Sequence, residues 1–426
     1  MLAGVLVGAT NNHSEVFMNP WVHRRFVCGA ILFTWLIASA ALARADALDN
    51  WSTQQLTTNW SGLQQVAYGN GRYVAGGRIS DWGTLHSSED GLTWTLRVNG
   101  QTTGTGYPQG IIDLKFSEDR FVASAWSLGN SVGFSTDGIN WSFAQLQYES
   151  FVTGVIGGIA YGAGKYIVVF YGFSGNSKNY YVSANGTNWT SSAFNSKALD
   201  VRDVAYGPGT YGFVAVAGDG FAYLSDTSPT AGLTRIPNFV GVGTQISFCR
   251  NLFISPSSPG VNAISTNGFD WTTASTGVAG LLGRVSYVNG IFYARVGNNL
   301  AISSDGTNWT ERLSSNLPGN GGIASDGRRF VNVGRTGSGL PTWNSFVHLS
   351  DYLVSVGVNN SSQPQINLSG VVGWPYRVEY LSSLPVGSTN SWQTLTNLVL
   401  PGSPYLLTDP DAASSTERYY RAMLMP

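Results

Sequence analysis

The chain has 426 residues, with 23 Lys or Arg against 24 Asp or Glu, a formal charge of −1, and only 11% charged residues, against ~25% in ordinary soluble domains. Glycine is abundant at 53, and the chain carries 14 Trp, 20 Tyr and 20 Phe. That aromatic content excludes a disordered chain, and the balanced charge excludes the basic footprint of a nucleic-acid binder. Many turn residues and aromatics with few charges indicate an all-β protein.

The first 45 residues read as an export signal. His23, Arg24 and Arg25 precede an apolar run from Phe26 to Ala43, and small residues follow at Ala41, Ala43 and Ala45. A positive segment, an apolar segment and an A-x-A site make a secretory signal peptide. Cleavage is expected after Ala45, with Met18 as an alternative start, because residues 1–17 resemble no targeting element. The competing reading is an uncleaved anchor, since the run is nearly long enough to span a bilayer. After cleavage no membrane span is expected. The expected address is outside the cytoplasm: periplasm, cell surface or medium.

Next comes a repeat. The string Ser-x-Asp/Asn-Gly-x-x-Trp occurs at Ser88–Trp94, Ser135–Trp141, Ser183–Trp189, Ser265–Trp271 and Ser303–Trp309, with a decayed copy at Ser225-Asp226. Asp-Gly or Asn-Gly between apolar runs is a hairpin turn, with glycine taking the positive φ. A second string, apolar-Ala-Tyr-Gly-x-Gly-Arg/Lys-Tyr-Val-Ala, precedes each copy and again reads as two strands around a turn. It centres on Tyr68, Phe116, Tyr161, Tyr206, Phe248, Tyr287 and Ser325, at intervals of 48, 45, 45, 42, 39 and 38 residues. Four short strands per unit at this period is the pattern of a propeller blade, and seven copies predict seven blades. The seventh unit lacks its final Trp. Asp49-Asn50-Trp51 supplies the missing pattern, so residues 50–56 are expected to pair with 345–350 and close the ring.

These strings resemble the Asp-box (BNR-type) repeats of the sialidase-like β-propeller superfamily, over residues 49–352. The resemblance implies the fold. It also raises sialidase chemistry, which in that family needs three arginines, a Tyr–Glu nucleophile and an Asp acid/base. Arg235-Ile236-Pro237 matches the family's first arginine string but lies between the fourth and fifth units, and no glutamate offers the Tyr pairing. In Asp90-Gly91, Asp137-Gly138 and Asp305-Gly306 the two residues are adjacent, whereas the family's box has one residue between them.

From about 353 to 426 the repeat stops. Alternating segments such as Tyr376–Tyr380 and Tyr419–Ala422 predict a small antiparallel sandwich. It resembles the accessory C-terminal modules of secreted bacterial proteins that end in Tyr-Arg-Ala. The expected organisation is thus a signal over 1–45, a seven-bladed propeller over 46–352 and an accessory sandwich over 353–426.

Chemistry is sparse. Beyond the export segment only His86 and His348 remain, each on a strand pattern, and Cys249 is a single cysteine. No metal site, cofactor or disulfide is expected. One register is polar: three residues before each repeat aromatic stand Gln65, Asp113, Gly158, Asp203, Gln245, Arg284 and Gly322, followed by Val, Leu or Ile. This position opens each inner strand at the mouth of the central channel. Two carboxylates and a guanidinium there can bind a polar ligand or do acid/base work, or they can hydrate the channel entrance. Arg78, Asp81, Trp82, Tyr107 and Trp126 are expected in loops of the same face, where exposed Trp suits sugar stacking and a Trp tucked under its loop is the alternative. The expected ligand set is Asp113, Asp203, Arg284, Gln65, Gln245, Arg78, Asp81, Trp82 and Trp126. The reading is a secreted non-catalytic propeller that binds a glycan or a protein at this face. The alternative is a glycan-processing enzyme, sialidase-like or a lyase, with Asp113 and Asp203 as its catalytic carboxylates.

Overall fold

The computed structural model describes residues 7–10, 48, 51–57, 62–79, 82–100, 110–126, 131–146, 155–171, 180–192, 201–208, 212–217, 220–224, 234–236, 243–288, 290–312, 317, 321–335, 342–348, 354–358, 364–368, 370, 372–381, 392–412 and 417–425. Two compact units emerge, one spanning Ala47–Ser350 and one containing Asp351–Met425.

Among the described residues, 47–350 hold seven four-stranded antiparallel sheets. Six are built from four consecutive strands, covering 63–99, 110–145, 155–192, 201–235, 247–275 and 286–312; these are sheets 1 to 6 in chain order. Sheet 7 takes Ile323–Ser325, Arg329–Arg335 and Thr342–His348, and its fourth strand is Ser52–Thr57 from the far end of the unit. The register of that pairing runs from Ser52↔Phe346 to Thr57↔Thr342. It lies nearer the start of the partner strand than the expected 345–350. Trp51, buried and donating its indole N–H to Leu48 O at 2.7 Å, occupies the position just before the strand.

The first strands of sheets 1 to 5 each touch the next, sheet 5 touches sheet 6, and the first strand of sheet 7 touches that of sheet 1. Sheets 6 and 7 meet where Tyr293 packs edge-on against Phe330 at 4.9 Å. Each apolar core lies between two neighbouring sheets. Val74 and Leu85 of sheet 1 pack with Leu114 and Phe121 of sheet 2. Tyr73 and Ala75 meet Val331 and Val333 across the sheet 7 to sheet 1 seam. Two hydrogen bonds lace that seam, from Tyr73 Oη to Arg329 O and from Asp326 N to Tyr73 Oη, each at 3.0 Å. Sheets packed face to face in a ring, each with its first strand innermost, make a β-propeller.

The repeated strings have separate structural causes. In the Ser-x-Asp-Gly turn, Asp305 Oδ1 accepts the N–H of Thr307 at 2.7 Å, the N–H of Asn308 at 2.8 Å and the Ser303 hydroxyl at 2.9 Å. Asn267 Oδ1 does the same for Phe269, Asp270 and Ser265. Gly306 follows at φ 80°, and a Cβ there would come within 2.9 Å of Leu252 Cδ2 in sheet 5. The indoles of Trp94, Trp189, Trp271 and Trp309 donate to the carbonyl of their own turn glycine. Trp141 departs from this: its indole N–H finds no acceptor, and the ring stacks on Phe143 instead. The glycine of the Tyr-Gly string is needed for contact, since a Cβ on Gly69 would sit 2.1 Å from the ring of Phe116 in the next sheet. The decayed copy at Ser225-Asp226 lies outside the described residues.

The second unit holds a three-stranded sheet (Val354–Val358, Pro364–Leu368, Tyr405–Thr408) and a four-stranded one. The latter orders Val7–Thr10, Glu417–Leu424, Pro375–Leu381 and Gln393–Val399. Val7–Thr10 pairs in register with Glu417–Tyr420, which nothing in the sequence of residues 1–17 announces. Inside this unit Asp409, fully buried, accepts from Arg418 and from the Tyr420 hydroxyl. Among the described residues no helix is long and apolar enough to cross a membrane.

Candidate functional site

Each inner strand runs from an end we call the top to a turn at the bottom, where the Asp-Gly and Gly-x-Gly turns gather. The bottom is joined across sheets by Asn70 Nδ2, which donates to Asp119 O and Thr136 O of sheet 2 at 2.9 Å each. At the top, the first strands of sheets 1 to 4 carry a β-bulge just before Gln65, Asp113, Gly158 and Asp203. A bulge re-aims the residue that follows it.

Asp113 and Asp203 come together, and Arg284 joins them. Arg284 Nη2 lies 3.0 Å from Asp113 Oδ1 and 3.1 Å from Asp203 Oδ2. A fourth member, Lys115, places Nζ 2.7 Å from Asp203 Oδ1 and 3.1 Å from Asp113 Oδ2. Both carboxylates also accept backbone N–H groups: Asp203 from Val204 at 2.8 Å and Ile246 at 3.0 Å, Asp113 from Ile159 at 3.4 Å. Lys115 further donates to Val204 O at 2.9 Å. Two anions and two cations are thus closed on one another by groups from sheets 2, 3 and 4 and from the segments that lead into sheets 5 and 6.

Burial decides what this cluster can do. Asp113 is 2% exposed and Asp203 1%, whereas the Arg284 side chain is 25% exposed. Burial alone would raise the Asp113 carboxyl; Arg284 and Lys115 outweigh it and hold it below the usual carboxylate range. Burial also works against the Arg284 cation, and Asp113 and Asp203 more than restore it. Both aspartates are therefore fully engaged, each by Lys115, by Arg284 and by backbone N–H groups. Expected at the mouth facing a ligand, both are buried instead, with their oxygens taken up by Lys115, Arg284 and backbone amides.

The cations remain accessible. A cavity of about 580 Å³ along the inner strands is lined by Gln64, Gln65, Gln245, Lys115, Arg284 and Arg295 and, toward the bottom, by aromatic residues such as Tyr68, Phe116, Phe248 and Tyr287. Gln65 and Gln245 stand on it, both half-buried. Arg78 is exposed and Trp82 half-buried in the second and third strands of sheet 1, neither on the cavity wall. Trp126 ends its strand opposite Gly110; its side chain, Asp81 and Tyr107 lie outside the described residues. His86 is fully buried, which pushes its pKa down to about 3 and keeps it neutral. Burial pushes the Cys249 thiol up to about 12, so it is a thiol and not a nucleophile near neutral pH.

Lys115 and Arg295 were absent from the sequence reading. Lys115 had a signal, since residues two apart on a strand share a face and Asp113 stands two before it. Arg295 had none: it lies on the second strand of sheet 6, where Gly283 N bonds Arg295 O at 2.6 Å and Leu282 pairs with Val296, so its backbone runs beside the lead-in that carries Arg284.

No protein-family model matches this chain, and no curated protein does. Solved structures match over the propeller. A streptogramin B lyase aligns at TM-score 0.54 and 10% identity, covering 71% of this chain and 99% of that one. YCF48 bound to D1 peptide aligns at TM-score 0.51 and 16% identity, covering 70% of this chain and 96% of that one. Virginiamycin B lyase from Staphylococcus aureus aligns at TM-score 0.50 and 10% identity, covering 70% and 99%. At these identities the likeness is one of fold, a β-propeller shared by a lyase and a peptide-bound protein.

Proposed function

We propose that this protein is a seven-bladed propeller, closed by the strand at 52–57, that binds a glycan or a protein at the top of its channel and catalyses nothing there. One observation carries the reading: the charged side chains on the cavity wall are all cations, while the only carboxylates of the candidate set that are described, Asp113 and Asp203, are engaged by Lys115, Arg284 and backbone N–H groups. A general acid or nucleophile must reach the substrate, and these do not. That a propeller of this fold is seen with a peptide bound is consistent with a binding role. A glycan and peptide array with purified protein, run beside a turnover screen on the same ligands, tests it. Binding without turnover is expected; turnover lost on Asp203→Asn restores the enzyme reading.

The same proposal includes export, with cleavage after Ala45 and an accessory sandwich at 353–426. Cleavage removes Val7–Thr10 and uncovers the Glu417–Leu424 edge it pairs with. Ring closure has its own test: deleting 46–58 strips the outer strand from sheet 7 and is expected to lower the melting temperature of the whole propeller cooperatively. An unchanged melt argues against closure.

A further inference from the structure

The second unit has a sheet edge with a removable cover. One side of its four-stranded sheet is closed by Val7–Thr10, which pairs antiparallel with Glu417–Leu424. Val7 stands opposite Tyr420, Gly8 opposite Tyr419, Ala9 opposite Arg418 and Thr10 opposite Glu417. The rest of that strand, 421–424, has no neighbour on this side among the described residues. Its other side pairs with Pro375–Leu381, from Leu381↔Tyr419 to Tyr376↔Leu424.

The covered strand is held in place from within the unit. Arg418 and Tyr420 are buried, and both donate to Asp409. Arg418 also donates to Asp411 O at 3.3 Å, and its guanidinium lies over the Tyr380 ring at 4.1 Å. Arg421 pairs with Glu379 at 2.6 Å and lies over the Trp392 ring at 4.3 Å. These partners all lie between residues 379 and 411, so losing Val7–Thr10 removes none of them. A strand fixed in this way presents the backbone groups of its outer side in a set geometry, and a second strand adds without having to order the first.

The cover also shows what the edge accepts. Val-Gly-Ala-Thr is uncharged and has no side chain larger than Val, with Ala9 opposite a buried arginine and Gly8 opposite a tyrosine. We infer that, once cleavage after Ala45 has removed this segment, the Glu417–Leu424 edge takes an extended, uncharged segment of another protein, antiparallel and with a small residue opposite Arg418. The inference rests on the export reading above. Strand addition of this kind draws affinity from main-chain hydrogen bonds and selectivity from alternate side chains. A second copy of Glu417–Leu424 would instead bring two arginines and two tyrosines to an edge that now holds small residues.

Titration of a fluorescent peptide with the sequence of residues 4–13 into two purified chains, 46–426 and 1–426, tests this. Melting curves first establish that 46–426 is folded. The peptide is expected to bind 46–426 at least ~10-fold tighter than 1–426, whose own strand competes at a high effective concentration. Gly8→Pro with Ala9→Pro in the peptide should remove at least ~10-fold of that affinity, since one of two neighbouring N–H groups must face the edge. Ala9→Lys should weaken it comparably by setting a cation opposite Arg418, while Asn12→Lys, beyond the paired residues, should leave it within ~2-fold. Equal binding to both chains, or binding that survives the two prolines, overturns strand addition. A chain 46–426 that does not fold overturns it too, because the edge must stand without its cover. A dimer of 46–426 that the peptide dissociates, read by light scattering, assigns the edge to a second copy and overturns the partner assignment. The intact mass of the exported chain decides cleavage separately. Retention of residues 7–10 overturns the export reading and this inference together, whereas cleavage without peptide binding overturns this inference alone.

Discussion

The two ends of the inner strands solve different problems with the same residue types. At the bottom, Asp90, Asp137 and Asp305 each satisfy their own turn, within a few residues of chain. At the top, Asp113 and Asp203 reach partners 46 and 43 residues away, Ile159 and Ile246, and share Lys115 and Arg284. A carboxylate in a local turn repeats with the sequence unit. A carboxylate in a shared cluster belongs to the ring and has no counterpart in the other units. The first kind maintains the scaffold and the second fixes how sheets 2 to 6 meet beneath the cavity.

The largest expected effect lies at the top. Asp203→Ala leaves Lys115 and Arg284 with one carboxylate between them in a buried setting. Removing one partner of a buried charge pair costs roughly 3–5 kcal/mol, so urea unfolding should show a loss of that order. A loss under ~1 kcal/mol would show that water reaches the cluster and that its members act independently.

At the bottom the corresponding large effect is apolar. Trp309 is 5% exposed and packs with Ile254, Phe292 and Ala301 between sheets 5 and 6. Trp309→Ala is expected to cost about 3–5 kcal/mol, as for a core aromatic, and to leave ligand affinity at the top unchanged. Trp141, half-buried and without its turn hydrogen bond, should cost less when replaced. If the two substitutions cost the same, the turn hydrogen bond and the deeper burial of Trp309 contribute nothing.

The bottom was legible in the sequence because its interactions are local. Ser303, Asp305, Gly306 and Trp309 meet within seven residues, so the string itself displays the structure. The strand that completes sheet 7 was legible for a related reason: the repeat left a gap at one end and a fragment at the other. Its register was not, because strand pairing depends on side chains opposite each other and not on spacing alone. At the top, the polar register picked out Asp113, Asp203 and Arg284 and their meeting. It could not tell a ligand-facing carboxylate from one buried in the wall. That distinction rests on backbone amides of sheet 3 and the lead-in to sheet 5, which carry no side-chain signature.

The smallest expected effect separates the two kinds of carboxylate by pH. Sheets 3 and 5 already carry Asn185 and Asn267 where sheets 1, 2 and 6 carry Asp, with the same bonds to two following N–H groups. Asp305→Asn should therefore keep its turn. It gives up the charge, and with it the bond that Asn308 Nδ2 now donates to Asp305 Oδ2 at 2.8 Å. Slight burial would raise the Asp305 carboxyl, but hydrogen bonds from Asn308 and Thr307 hold it well below the usual range. A depressed folded pKa contributes stability above the unfolded value of ~3.9 and loses it as pH falls through the folded value. At pH 7 the variant should be less stable by under ~1 kcal/mol, since the side chain is exposed and screened. Below about pH 4 that deficit should shrink toward zero, because wild type then loses the same contribution. Asp203→Asn at the top should behave otherwise, with a deficit several-fold larger at pH 7, since it removes one of the two buried carboxylates that Lys115 and Arg284 share. Urea midpoints for both variants from pH 7 to pH 3 decide it. Similar deficits at pH 7 would mean that the buried cluster is no more than a second set of turn-like contacts.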